Sequence, residues 1–207
     1  MWHFNHNFLY KFISYITSFL SDIPKVIAVG IASYLIFGIY LINFYRPQNV
    51  NSKSLVDHKG IGTIKVGMTV ERAEEVSHVQ LLPVSSSGLA NPNCYYVEPQ
   101  SGLGLNYVKF MVVKGQLVTI EVNRNRTLAT TLGAKVGQSN RQIESLYGKE
   151  IHSLLNSDNQ EYKLSFQPSQ DKNYRIIFES NGSYVTGYRA GKLPEVQYSN
   201  GCSDFSK

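Results

Sequence analysis

Cysteine is scarce in this chain of 207 residues: Cys94 and Cys202 are the only two, they lie far apart, and neither belongs to a C-x-x-C pair. The usual zinc and thioredoxin spacings are thereby excluded. Basic runs are missing as well. Lys and Arg outnumber Asp and Glu by 20 to 15, for a formal charge of +5. They form no cluster and no basic helix face of the kind that supplies phosphate contacts, which argues against nucleic acid as a partner. The G-x-S-x-G turn is lacking, so Ser85-Ser86-Ser87-Gly88 reads as loop rather than as a nucleophile. Histidine offers little: of five, His3, His6 and His58 precede the folded region, leaving His78 at a helix end and His152 in a loop. What remains, 43% hydrophobic and 17% charged, is neither disordered nor collagenous and suffices for one full core or two small ones.

The charge-free stretch from Val26 to Phe44 would rise on the order of 28 Å as a helix, close to the hydrocarbon thickness of a bilayer. Residues 26–45 are therefore expected to form a single transmembrane helix, with Tyr40, Tyr45 and Arg46 as interfacial anchors and Pro47 as its stop. No small-x-small site follows, which argues against a cleaved signal peptide. Before it, residues 1–22 repeat Phe4, Phe8, Phe12, Ile16 and Phe19 at helical spacing, as an amphipathic helix lying at the membrane surface would. Residues 46–59 are polar and aperiodic and read as a tether, with His58 solvent-exposed. Basic residues divide almost evenly across the span, so orientation rests on the cysteines. A long-range disulfide persists only in an oxidising compartment, which places the amino terminus in the cytoplasm and residues 46–207 outside it. The alternative is two unrelated buried thiols.

The soluble region is organised around one strand-to-helix step used twice, Lys65-Val66-Gly67-Met68-Thr69 and Lys135-Val136-Gly137-Gln138-Ser139. Gly67 and Gly137 free the backbone, while Thr69 and Ser139 stand where N-caps belong, Ser139 with Gln142 in capping-box spacing. Each helix is followed by three strand-like segments: Cys94 to Val97, Leu105 to Val113 and Leu117 to Val122, then Tyr162 to Phe166, Tyr174 to Glu179 and Tyr184 to Arg189. Lys114-Gly115 and Asn181-Gly182 read as tight hairpin turns, and the sequons at Asn125 and Asn181 as turns rather than glycan sites. Tyr107, Gly115, Val118 and Thr119 align with Tyr174, Gly182, Val185 and Thr186. The expected fold is α+β: a tandem repeat of helix plus three-stranded antiparallel meander, over residues 60–128 and 129–202, with one sheet face left open.

The step Val66-Gly67-Met68-Thr69 before a short helix, with its degenerate copy Val136-Gly137-Gln138-Ser139, resembles the fold shared by beta-lactamase inhibitory protein and the small BamE-type envelope proteins. Gly60 to Thr69, the Cys94 strand and the stretch from Phe178 to Cys202 look like an uncharacterised, membrane-anchored bacterial envelope family. The resemblance implies a non-catalytic protein, without cofactor or metal, that offers a sheet surface to another protein; no contact residue of the inhibitor can be placed here. Among the fourteen tyrosines, Tyr95, Tyr107 and Tyr188 are candidates for that surface. Two other functions fit the same residues: an envelope hydrolase using His78, His152 and Glu161, and a carrier of a lipid or small apolar ligand on the sheet.

Overall fold

The computed structural model describes residues 49–84, 92–155 and 162–205, together with the helical residues Ser14, Tyr34, Leu35 and Gly38. The chain divides into two compact units, 1–46 and 47–207. The expected amphipathic and transmembrane helices, apart from those four residues, lie outside the described residues, as do Ser85 to Gly88 and Glu161. Among the described residues no helix is long and apolar enough to cross a membrane.

The second unit is α+β and mainly antiparallel. A small sheet of β1 (Val56–Asp57), β2 (Gly60–Ile61) and β3 (Ile64–Lys65) leads into α1 (Val70–Ser77), then β4 (Leu81–Pro83), β5 (Cys94–Pro99), β6 (Val108–Val113) and β7 (Gln116–Asn123). The second half repeats the order with α2 (Asn140–Tyr147), β8 (Ile151–Leu155), β9 (Tyr162–Phe166), β10 (Tyr174–Ser180) and β11 (Val185–Lys192). One eight-stranded sheet results, ordered β4-β5-β6-β7-β11-β10-β9-β8, so the halves meet at the β7–β11 seam. Each meander thus has four strands, not the expected three. The added ones, β4 and β8, are the two edges. An edge strand pairs on one side only and can be short and broken by proline, so Leu81-Leu82-Pro83 shows little alternation to read.

Both helix starts behave as their residues require. Gly67 and Gly137 have φ of 93° and 92°, a region disfavoured once a Cβ is present. Thr69 accepts from the Arg72 amide at 3.2 Å, and Ser139 with Gln142 completes a capping box. Each start is sewn to the last strand of its own half. Gly67 N–H donates to Leu117 O at 2.8 Å and Leu117 N–H to Met68 O at 2.8 Å; Gly137 N–H donates to Val185 O at 2.8 Å and Val185 N–H to Gln138 O at 2.9 Å.

Those four bonds correct the alignment of the halves, because Leu117, not Val118, corresponds to Val185. The bulges agree. Pairing slips between Met111 and Val112, which oppose Thr119 and Leu117 and leave Val118 as the extra residue. In the same place Glu179 and Ser180 oppose Gly187 and Val185, leaving Thr186. A slip of one residue exchanges the faces of a strand, and the corrected register restores them: Phe110 matches Phe178, and Leu117 and Ile120 match Val185 and Tyr188, all in one buried cluster.

That cluster lies between the helices and one sheet face and draws on both halves, including Ala73, Val97 and Phe110 with Ile143, Leu164 and Phe178. It also takes Val50, Val56, Ile61 and Ile64. The segment expected as a tether is therefore part of the core. Its short apolar residues are set singly among polar ones, which hides them from a periodicity test. Val56 is held in place by bonds from its amide to Ala129 O and from the Thr131 amide to its carbonyl, both 2.9 Å. His58 is not free in solvent either. Its Nε2 is 3.6 Å from Asp171 and its ring meets Tyr174 edge-on, while Lys59 Nζ lies 2.6 Å from Asp171. The hydrogen bond from Lys59 holds the Asp171 carboxyl below its ordinary range.

Candidate functional site

Alternate residues of the central strands point away from the helices: Lys109 and Met111 on β6, Thr119 and Glu121 on β7, Gly187 and Arg189 on β11, and Ile177 and Glu179 on β10. This was expected to be the open face. The carboxy-terminal segment crosses it instead. Cys202 is bonded to Cys94, and Tyr198, Cys202 and Phe205 pack on Cys94, Tyr96, Met111, Val113 and Val118.

Beneath that segment lies a polar cleft of about 280 Å3. Glu121 and Arg189 face each other across the seam, yet each takes another partner. Lys109 Nζ approaches Glu121 at 3.1 Å and lies 4.1 Å from the Tyr96 ring centroid; the Tyr96 hydroxyl donates to Glu121 at 2.9 Å. Arg189, only 7% exposed, binds the Glu179 carboxylate and the Tyr198 carbonyl. Burial, with the Glu121 charge adding to it, pushes the Tyr96 hydroxyl above its ordinary pKa. The cations here are matched by anions within the fold. The cleft joins tail to sheet.

The larger concavity, about 1100 Å3, opens at the end of the same seam. Its described wall is Tyr107, Asn123, Arg124, Arg126, Val136, Gly137, Asn181, Tyr184, Val185 and Thr186. Tyr107 and Tyr184 are 63% and 55% exposed. Arg124 and Arg126 are exposed on the loop leaving β7, and no acidic residue stands in that wall.

The backbone around this basin is costly to hold. Tyr107 and Arg124 have φ of 63° and 56°, a left-handed conformation that disfavours a residue with a Cβ by about 1–2 kcal/mol. Each is fixed by neighbours: Tyr107 O accepts from Asn123 N–H at 2.9 Å, and Arg124 N–H donates to Thr186 O at 3.3 Å. Arg126 lies against Gly137, its Nε 3.5 Å from where a Cβ there would stand, an ordinary contact. Between the arginines, Asn125 is buried and fully used. Its Nδ2 donates to Gly104 O and Asn106 O at 3.2 and 2.9 Å, and its Oδ1 accepts from the Thr127 and Leu128 amides and the Thr127 hydroxyl at 3.0, 3.1 and 2.7 Å. Asn125→Ala would strand several of these groups and is expected to lower unfolding free energy by about 2–3 kcal/mol in urea titration.

The sequence-nominated residues disperse. Tyr107 reaches the basin. Tyr95 is half-buried against the core, and Tyr188, expected to be exposed, is 2% exposed because its position on β11 faces the helices; its hydroxyl points to Leu128 O at 3.5 Å. Gly67, Thr69, Gly137 and Ser139 start helices as expected. His78 caps α1 beside edge strand β4, whereas His152 sits on β8 at the opposite edge. Seven strand spacings of about 4.8 Å separate those edges, so the two imidazoles share no site. Among the described residues no three His, Cys, Asp or Glu side chains gather as metal ligands. Arg124, Arg126 and Tyr184 escaped sequence reasoning. The signal was present in Asn123-Arg124-Asn125-Arg126, two arginines straddling a turn-forming asparagine at the end of a strand.

No protein-family description matches this sequence, and no curated protein does. Among solved structures, the chain is similar to the uncharacterized protein yfeY from Escherichia coli, at 13% identity and a TM-score of 0.42, over 67% of this chain and 99% of that one.

Proposed function

We propose that this chain is a single-pass, membrane-anchored envelope protein, of the kind its sequence resembles, whose folded unit stands outside the cytoplasm and binds another protein without acting on it chemically. The anchor is the charge-free stretch 26–45, with the amino terminus in the cytoplasm. The Cys94–Cys202 bond supports the extracytoplasmic side, since thiols are kept reduced in the cytosol. One observation carries the binding role: two well-exposed tyrosines, Tyr107 and Tyr184, flank Arg124 and Arg126 in a concave basin. Tyrosine and arginine are the residues that dominate protein–protein contact energies, because each offers a large flat surface with directional polar groups.

A photo-crosslinking amino acid placed at Tyr107 or Tyr184 in the full chain, in intact cells, is expected to give the same discrete adduct. The same probe at Leu132, exposed but outside the basin wall, should give none. Adducts of equal pattern from all three positions would remove the basin from consideration.

A further inference from the structure

We infer that the basin recognises an acidic polypeptide segment, with Arg124 and Arg126 taking its carboxylates and Tyr107 and Tyr184 packing on its stem and backbone; this rests on the binding role just proposed. Charge is the first argument. Lys109, Arg189, Lys59 and Lys65 each face an acid within the fold, whereas Arg124 and Arg126 make no ion pair among the described residues and share a wall without a carboxylate. A guanidinium presents a planar fork of donors that matches a carboxylate with two parallel hydrogen bonds.

Backbone conformation is the second argument and is independent of the first. Of the four non-glycine residues with positive φ among the described residues, Tyr107 and Arg124 both stand in this wall. Glycine would hold either turn with less strain, so the sequence keeps two large side chains where the chain geometry disfavours them. Strain of this kind gathers where a side chain must be aimed.

Size and composition then select the ligand. An opening of about 1100 Å3 is far larger than a lone phosphate needs. Two arginines are too few for the basic cluster that holds a protein on an anionic membrane surface. Asn123, in the same wall, carries an amide of the kind that pairs with a peptide backbone.

The test uses the full chain in nanodiscs of neutral phosphatidylcholine and a fluorescein-labelled peptide of alternating glutamate and serine, with a glutamine twin, read by fluorescence polarisation. The glutamate peptide should bind at least about tenfold more tightly than its twin, and more weakly as salt is raised. Arg124→Gly suits the local φ, so its thermal midpoint should hold or rise while peptide affinity falls about tenfold; Arg126→Gln should weaken binding similarly, and Lys114→Gln, outside the basin wall, should not. Equal binding of the two peptides, unchanged affinity in the arginine variants, full displacement by millimolar inorganic phosphate, or binding to phosphatidylglycerol vesicles in place of the peptide would each overturn the inference. Crosslinks from Tyr107 and Tyr184 that persist in an Arg124→Gly, Arg126→Gln chain would leave the docking surface standing and remove only its acidic preference.

Discussion

Replacing Cys94 and Cys202 together by alanine is expected to lower the unfolding free energy by about 4–5 kcal/mol, and the thermal midpoint by roughly 10–15 °C. The bond spans 108 residues of sequence. It joins β5 to the segment that crosses the far side of the sheet, so in the unfolded chain it closes residues 94–202 of the folded unit 47–207 into one loop. Without it the carboxy-terminal segment keeps Tyr198 and Phe205 packed on Met111 and Val113, Arg189 bound to the Tyr198 carbonyl, and Lys163 Nζ donating to Ser199 Oγ at 3.0 Å. The loss should appear first as exposure of Met111 and the Tyr96 cleft to solvent, read by hydrogen exchange. In intact cells a membrane-impermeant maleimide should label neither cysteine until an impermeant reductant is added, and both afterwards. Labelling without reductant, or an unchanged midpoint in the double variant, would contradict the bond; no labelling even after reduction would contradict the compartment.

The elements that the sequence shows plainly are those whose cause is local. Gly67 with Thr69, and Gly137 with Ser139 and Gln142, specify a helix start within a few residues, and the central strands carry β-branched and aromatic side chains at close spacing. What is hidden depends on partners distant in sequence. Edge strands β4 and β8 are defined by pairing with β5 and β9, not by any alternation of their own. The register of the repeat misled because Gly115 and Gly182 look equivalent. Lys114-Gly115 is a two-residue turn between Val113 and Gln116, whereas Ser180 pairs with Val185 across the four residues 181–184, where Asn181 Oδ1 accepts from the Ser183 and Tyr184 amides. The lengths differ, and the helix-start bonds to Leu117 and Val185, with the bulges at Val118 and Thr186, show the true correspondence. Tyr188, expected at the surface from the tyrosine-rich strands alone, is buried, because a strand's composition does not say which face a residue takes. Tyr107 is exposed, as expected. Its companion Arg124 is brought beside it by the β6–β7 hairpin of the same half, whereas Tyr184 reaches it only because β7 and β11 pair at the seam, a contact between halves that neither half encodes alone.

Phe178→Ala is expected to cost about 3–5 kcal/mol, close to the disulfide in effect but different in origin. Phe178 is fully buried. Its ring lies 5.4 Å from that of Tyr147 and 5.7 Å from that of Tyr188, while Tyr147 also stacks on Phe166 at 4.6 Å. Tyr147 donates to the Thr130 hydroxyl at 2.8 Å, and burial pushes its pKa up to about 12. The substitution therefore removes both transfer free energy and packing. Because the cluster also contains Phe110, Val97 and Ala73 of the first half, the whole folded unit should still unfold in one step, at a lower midpoint, whether followed by far-ultraviolet circular dichroism or by tyrosine fluorescence. Phe110→Ala, at the matching position, should lower the same single midpoint. Two separated transitions, with the first half keeping its original midpoint in Phe178→Ala, would mean that the halves hold separate cores and that the β7–β11 seam joins them only as a surface contact.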